Sequence, residues 1–237
     1  MADNRLIECV PNFSEGRDTT VIEQISNSIS DIDGIALLDV DSSEDFNRTV
    51  ITFVGSPDSV LEAALNCTRV ALSLIDMRVH SGEHARMGAI DVVPFIPISN
   101  TSIEDCVELA NRYAKSVGEQ LSIPVYLYAK AARTPNRVLL PHIRSGEYEG
   151  LEQKLSDLEW LPDEGPAEFV ARSGAMATGA RSVLIAYNVN LGTFHTMLPS
   201  VVLVHVQILF DPGVVCMSVC FRECWVWFDT DFFAVVL

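Results

Sequence analysis

Between Arg5 and Ile98 the residue pattern changes period in a fixed order, and that order restricts the folds open to the chain. Arg5 to Val10 has strand character and is closed by Ser14-Glu15-Gly16. Val21, Ile22, Ile25 and Ile29 then recur at helical spacing. Ile35 to Val40 and Thr49 to Val54 are two β-branched and leucine-rich runs across a polar loop, the signature of paired strands. Ser56-Pro57-Asp58 combines an N-cap hydroxyl, a first-turn proline and a first-turn carboxylate. The helix it opens turns Val60, Leu61, Ala64, Ala71, Leu74 and Ile75 inward. Ile90 to Ile98 closes the series as a strand, and Pro94 and Pro97 suggest an edge or bulged position for it.

This β-α-β-β-α-β order is the split βαβ arrangement of ferredoxin-like folds. A helix opened by Thr101-Ser102-Ile103-Glu104 in capping-box spacing follows. Further expected elements are a strand at Pro124 to Tyr128, a helix from Glu147 to Leu158 and a strand from Val183 to Asn188. The fold class is therefore α+β, a mixed sheet with helices packed on it.

After Gly192 the character changes. Residues 193–237 carry five charges and no lysine, but three of the six cysteines and two of the three tryptophans. Domain-like sequence is accordingly expected over 1–191, and 192–237 is expected to be a poorly structured apolar tail, not a domain. Met197 to Phe210 is too short for a membrane helix and has polar groups mid-span. Cys216, Cys220 and Cys224 would share one face of a helix, yet they match no zinc pattern. β-prone windows of this kind are aggregation hazards.

A net charge of −16 argues against nucleic acid or an anionic membrane as partner. It leaves room for a small anionic substrate where arginines gather, and Arg86, Arg133, Arg137, Arg144, Arg172 and Arg181 are available. The N-terminus has no apolar signal segment, and Cys9, Cys67 and Cys106 are scattered singly, so a cytoplasmic location is expected.

The densest cluster of chemistry is His80-Ser81-Gly82-Glu83-His84-Ala85-Arg86-Met87-Gly88. Histidine exchanges protons near neutral pH, which makes His84 a candidate acid–base group and equally a candidate structural histidine. A metal held by His80 and His84 is disfavoured, because Gly82 opposes a helix and the glutamate is misplaced for a zincin. No metal site is expected. Asp41, at the end of a strand, suits either substrate binding or a turn cap. Asn12 and Glu15 fall in a turn, with Glu15 read as structural. Arg48 and Arg86 suit either substrate carboxylates or surface acids, and Arg86 is favoured for its closeness to His84.

Several blocks carry a family pattern: Glu8-Cys-Val-Pro-Asn-Phe-Ser-Glu-Gly16, Leu37-Leu-Asp-Val-Asp41, Asn47-Arg-Thr49, Phe53-Val-Gly55, the stretch Leu74 to Pro97, Pro124-Val-Tyr-Leu-Tyr128, Arg144-Ser-Gly-Glu-Tyr148 and Gly179 to Leu191. Over residues 5–191 the chain resembles the N-terminal subdomain of the formiminotransferase domain. That resemblance implies transfer of a formimidoyl group between N-formimidoyl-L-glutamate and tetrahydrofolate, a step of histidine breakdown, with tetrahydrofolate as co-substrate. It implies His84 as the catalytic residue. The folate-binding segment falls on Gly165, Pro166, Ala167, Glu168, Phe169, Val170, Ala171, Arg172, Ser173 and Gly174. Homo-oligomers are compatible with it.

The chain departs from the family at Ala85 and Ala171, where proline is usual, and at Ser173, where some members carry an aromatic residue. An alanine at 85 loosens the backbone beside the base. Nothing in 193–237 resembles the second subdomain that the family places opposite the first. The alternative expectation is therefore a truncated, catalytically silent folate-binding or dimerisation module.

Overall fold

The computed structural model describes residues 4–189, 204–211, 214–221 and 224–228. Two compact units divide it, Met1–Ser182 and Val183–Leu237.

The first unit begins with β1 (Leu6–Cys9) and β2 (Asn12–Phe13), followed by α1 (Thr19–Ser30), β3 (Ile35–Ser43), β4 (Arg48–Gly55), α2 (Pro57–Leu74) and β5 (Ile90–Ser99). β1 and β2 form one interrupted strand between β4 and β5, antiparallel to both, and β3 pairs with the far side of β4. The spatial order β3-β4-β1/β2-β5 is the ferredoxin-like arrangement expected from the sequence. α3 (Ile103–Leu121), β6 (Val125–Ala129), α4 (Leu140–Arg144), α5 (Leu151–Leu155) and β7 (Met176–Ala180) extend it, with β7 inserted in parallel between β5 and β6.

β5 is thus a central strand, and the edge position suggested by Pro94 and Pro97 does not hold. The bulges do: pairing with β5 slips between Leu6 and Ile7 and again between Asn12 and Phe13. The helix expected over Glu147 to Leu158 shrinks to α5, because Gly146 and Glu147 take left-handed φ of 87° and 52° just before it. The capping box of α3 lies one residue later than the spacing suggested, between Ser102 and Asp105. Thr101 instead donates its hydroxyl to the Leu6 carbonyl at 2.8 Å.

Alternation along the strands divides the interior in two. Ile51 and Phe53 of β4, Val93 and Phe95 of β5, and Val125 and Leu127 of β6 pack with the helices in the main core. Tyr126 and Tyr128 of β6 face the other side, where Ile143, Leu151 and Leu155 complete a smaller core. Cys9, Cys67 and Cys106 are free thiols. Among the described residues no helix is long and apolar enough to cross a membrane.

In the second unit, β8 (Leu184–Val189), β9 (Val204–Asp211), β10 (Val214–Phe221) and β11 (Cys224–Phe228) form an antiparallel sheet in sequence order. The β-prone windows of the tail take up this backbone. Cys216 and Cys220 lie in β10 and Cys224 in β11, so the shared helical face considered for them does not arise. The remaining tail residues lie outside the described ones.

Candidate functional site

β4 and β5 run in the same direction and start at the same end of the sheet, where β2 finishes between them. The loop 80–88 crosses that end. Two glycines allow it to lie close. A Cβ at Gly82 would sit 2.3 Å from the Phe46 carbonyl, and one at Gly88 would sit 2.3 Å from the Ala175 carbonyl. Asn47, at φ 47°, ties the neighbouring loops together. Its Oδ1 accepts from the Gly16 amide at 2.9 Å, and its Nδ2 donates to the Ser81 carbonyl at 2.9 Å. The result is a shallow, open cleft lined by Ser14, Phe46, Asn47, Arg48, His80, His84 and Arg86.

His84 Nδ1 lies 2.7 Å from the Ala85 carbonyl oxygen. The shorter of the two contacts at Nδ1 assigns the tautomer: Nδ1–H donates to the carbonyl, where two lone pairs would otherwise oppose each other, and the more distant Arg48 acts on the ring as a charge. Nε2 is then the basic nitrogen of the neutral ring. The residue-85 carbonyl thus anchors the imidazole, an acceptor that alanine and proline both offer, so the alanine leaves this anchor in place. Arg48 Nη1 stands 3.1 Å from the same Nδ1, and the Phe46 ring meets the imidazole edge-on at 6.0 Å. Burial, then the Arg48 charge, push the His84 pKa down to about 4. The ring is therefore neutral at physiological pH.

His80 is held differently. Its Nε2 donates to the Asn47 carbonyl at 3.1 Å, and its Nδ1 lies 3.4 Å from Arg86 Nε. Both ring nitrogens are engaged, as in a structural histidine. Among the described residues no group of three His, Cys, Asp or Glu gathers in a way that could hold a metal.

Of the arginines singled out from sequence, Arg48 donates from Nε to Asn12 Oδ1 at 3.1 Å and from Nη1 to Asp91 Oδ2 at 2.8 Å. Arg86 forks onto Glu149 at 2.7 and 2.9 Å and reaches Glu147 at 3.1 Å. Its guanidinium is thus occupied by acids of the chain itself. Glu15 accepts from the amides of Arg17 and Asp18, as expected of a turn residue. Asp41 is exposed on the outer strand β3, opposite Val50.

The segment 165–174 spans two places. Gly165, at φ 82°, packs against Gly118 and the Ile123 carbonyl, away from the cleft. At its other end the Ala171 carbonyl accepts from Tyr148 Oη at 2.6 Å, and the Ser173 carbonyl accepts from the Ala89 amide at 2.8 Å. That end is stitched to the loop carrying His84. Ser173 Oγ is, among the described residues, a buried side-chain oxygen without a hydrogen-bond partner.

Asp91 is the residue that sequence reading missed. It is wholly buried and accepts from Arg48 and Arg144 together. A signal was present: Asp91 is the one acid inside the apolar run Ile90 to Ile98.

The family model described as formiminotransferase domain, N-terminal subdomain, matches residues 6–181. The chain is 55% identical over 191 residues to a formimidoyltransferase-cyclodeaminase of Dictyostelium discoideum, covering 80% of this chain and 36% of that protein. It is 48% identical to a glutamate formimidoyltransferase of Thermoplasma acidophilum, over 79% of this chain and 62% of that protein. A glutamate formimidoyltransferase of Streptococcus pyogenes is 42% identical, over 80% and 63%. The chain spans about a third of the first of these relatives and under two thirds of the other two.

Proposed function

The chain belongs to the formiminotransferase domain family, as its N-terminal subdomain, and from that membership and the geometry of the cleft we propose that it takes part in folate-dependent formimidoyl transfer. The substrates on this reading are N-formimidoyl-L-glutamate and tetrahydrofolate, and the setting is histidine breakdown. Three free thiols support a reducing, cytoplasmic location.

The observation that carries the reading is the state of His84: a neutral imidazole, its Nδ1 committed to the Ala85 carbonyl, in a residue lining the cleft. Attack of an amine on an amidine carbon requires one nitrogen to lose a proton and another to gain one before it leaves. A fixed group that accepts a proton at Nε2 and returns it serves both steps. Burial, and then the Arg48 charge beside it, disfavour lasting protonation of the ring, which suits a group that returns the proton it takes. The backbone bonds of the 171–174 end to the segment next to the His84 loop support that end of the folate segment over the Gly165 end.

Replacing His84 with Gln tests this directly. Formimidoyl transfer by the purified chain should fall at least about a hundredfold, the usual contribution of a positioned acid–base group. Unchanged turnover would overturn the assignment.

One observation favours a second reading. The cleft is shallow and encloses almost no space of its own, whereas a small-molecule site usually encloses roughly 300–1,000 Å³. Such a cleft does not by itself enclose two substrates, which fits a module that binds reduced folate or pairs with another copy without turnover by itself. Titrating a reduced folate into the chain separates the two, since binding without transfer supports the module and transfer supports the enzyme.

A further inference from the structure

Asp91 and Arg144 have no part in the proton transfer described above, yet they stand directly behind His84. A carboxylate in the interior is costly unless it is paired and fully hydrogen-bonded. Asp91 meets that condition through groups that all lead back to the imidazole. Its Oδ2 accepts from Arg48 Nη1 at 2.8 Å and from Arg144 Nη2. Its Oδ1 accepts from the Met87 amide at 3.1 Å and from Arg144 Nε at 3.3 Å. Arg48 Nη1 is the same atom that stands 3.1 Å from His84 Nδ1, and Met87 is three residues beyond His84 in the same loop. Two guanidiniums share one carboxylate, so the cluster holds one positive charge in excess beside the ring.

We propose that Asp91 and Arg144 are positioning residues for His84: Asp91 locks Arg48 and the His84 loop in register, and Arg144 completes the ion cluster that keeps a positive charge behind the imidazole. The role assigned to them rests on reading His84 as the acid–base group. The charged groups facing the ring are Arg48 from β4, Arg144 from α4 and Asp91 from β5, with the Ala85 carbonyl from its own loop. Arg48 and Arg144 both oppose the imidazolium, while Asp91 and the carbonyl favour it. A network that served only to fasten α4 to the sheet would not need its excess charge next to a titratable ring.

The test is a nitrogen-15 NMR titration of His84 in the full chain, which reads tautomer and protonation without any assay of transfer. The unaltered protein should titrate well below the ordinary histidine range with the proton on Nδ1. Arg144→Gln should raise the midpoint by about half a pH unit or more, roughly a threefold change in proton affinity. Arg144→Lys, which keeps the charge, should leave it low. Asp91→Asn, if it folds, should move the midpoint the opposite way and shift the Met87 amide resonance. If it does not fold, the Arg144 pair decides. A His84 midpoint and tautomer identical in the Arg144→Gln variant and the unaltered chain would overturn the proposal, whatever happens to stability. Transfer measured alongside keeps the two readings apart. An intact titration shift in a chain whose His84→Gln variant loses no activity would remove the catalytic reading and leave the positioning one.

Discussion

At His84 the tautomer follows from one distance, the 2.7 Å between Nδ1 and the Ala85 carbonyl, and the charge state follows from burial and Arg48. Together they predict a pH dependence of stability. The folded-state pKa of about 4 lies below the ordinary value near 6.5, so the unfolded chain binds the proton first as pH falls. The contribution is complete above pH 6.5 and is lost between there and pH 4. Denaturant unfolding at pH 7, 5.5 and 4.5 should therefore lose stability in acid, and His84→Gln should flatten part of that loss. A residual slope is expected from His80, which burial also pushes down. Equal slopes in the two proteins would contradict this account. His84 itself was legible in sequence because its residue type and neighbours announce proton chemistry. Asp91 was not, since a single acid in an apolar strand becomes meaningful only when two arginines from distant positions meet it.

At the scale of elements, the helices were read correctly where local chemistry suffices. α2 begins at Pro57 with Ser56 capping it, as its sequence spells out. α3 was displaced by one residue because two overlapping capping boxes are written there, and only the bond from Thr101 to the Leu6 carbonyl decides between them. This yields a discriminating prediction: Ser102→Ala should cost about 1 kcal/mol, whereas Glu104→Ala should cost a few tenths at most. Thermal unfolding of the two variants measures it, and the reverse order would move the cap back to Thr101. β5 was misplaced for a related reason. Proline forbids a donor but says nothing of where the partner strand breaks. Here β1 and β2 are interrupted around Val10 and Pro11 opposite Pro94, and the register with β1 slips between Leu6 and Ile7 beside Pro97, so a central strand tolerates both prolines.

For the molecule as a whole, both hydrophobic cores and the cleft lie in the Met1–Ser182 unit. A chain of residues 1–182 should accordingly unfold cooperatively and keep the depressed His84 titration. Loss of either, seen by circular dichroism or by the NMR titration, would mean that Val183–Leu237 contributes to the site. The amino-acid sequence by itself determined the α+β class and the ferredoxin-like order, because periodicity, caps and turn residues act over a few positions, and its matching blocks identified the family. It also pointed to His84. Only the tertiary structure decided that Arg86 is taken up by Glu147 and Glu149, that Arg48 is the cation beside His84, and that Asp91 and Arg144 stand behind it. Those pairings join residues 36 to 63 positions apart. Electrostatics in a buried cluster depends on distance in space, which no local pattern encodes.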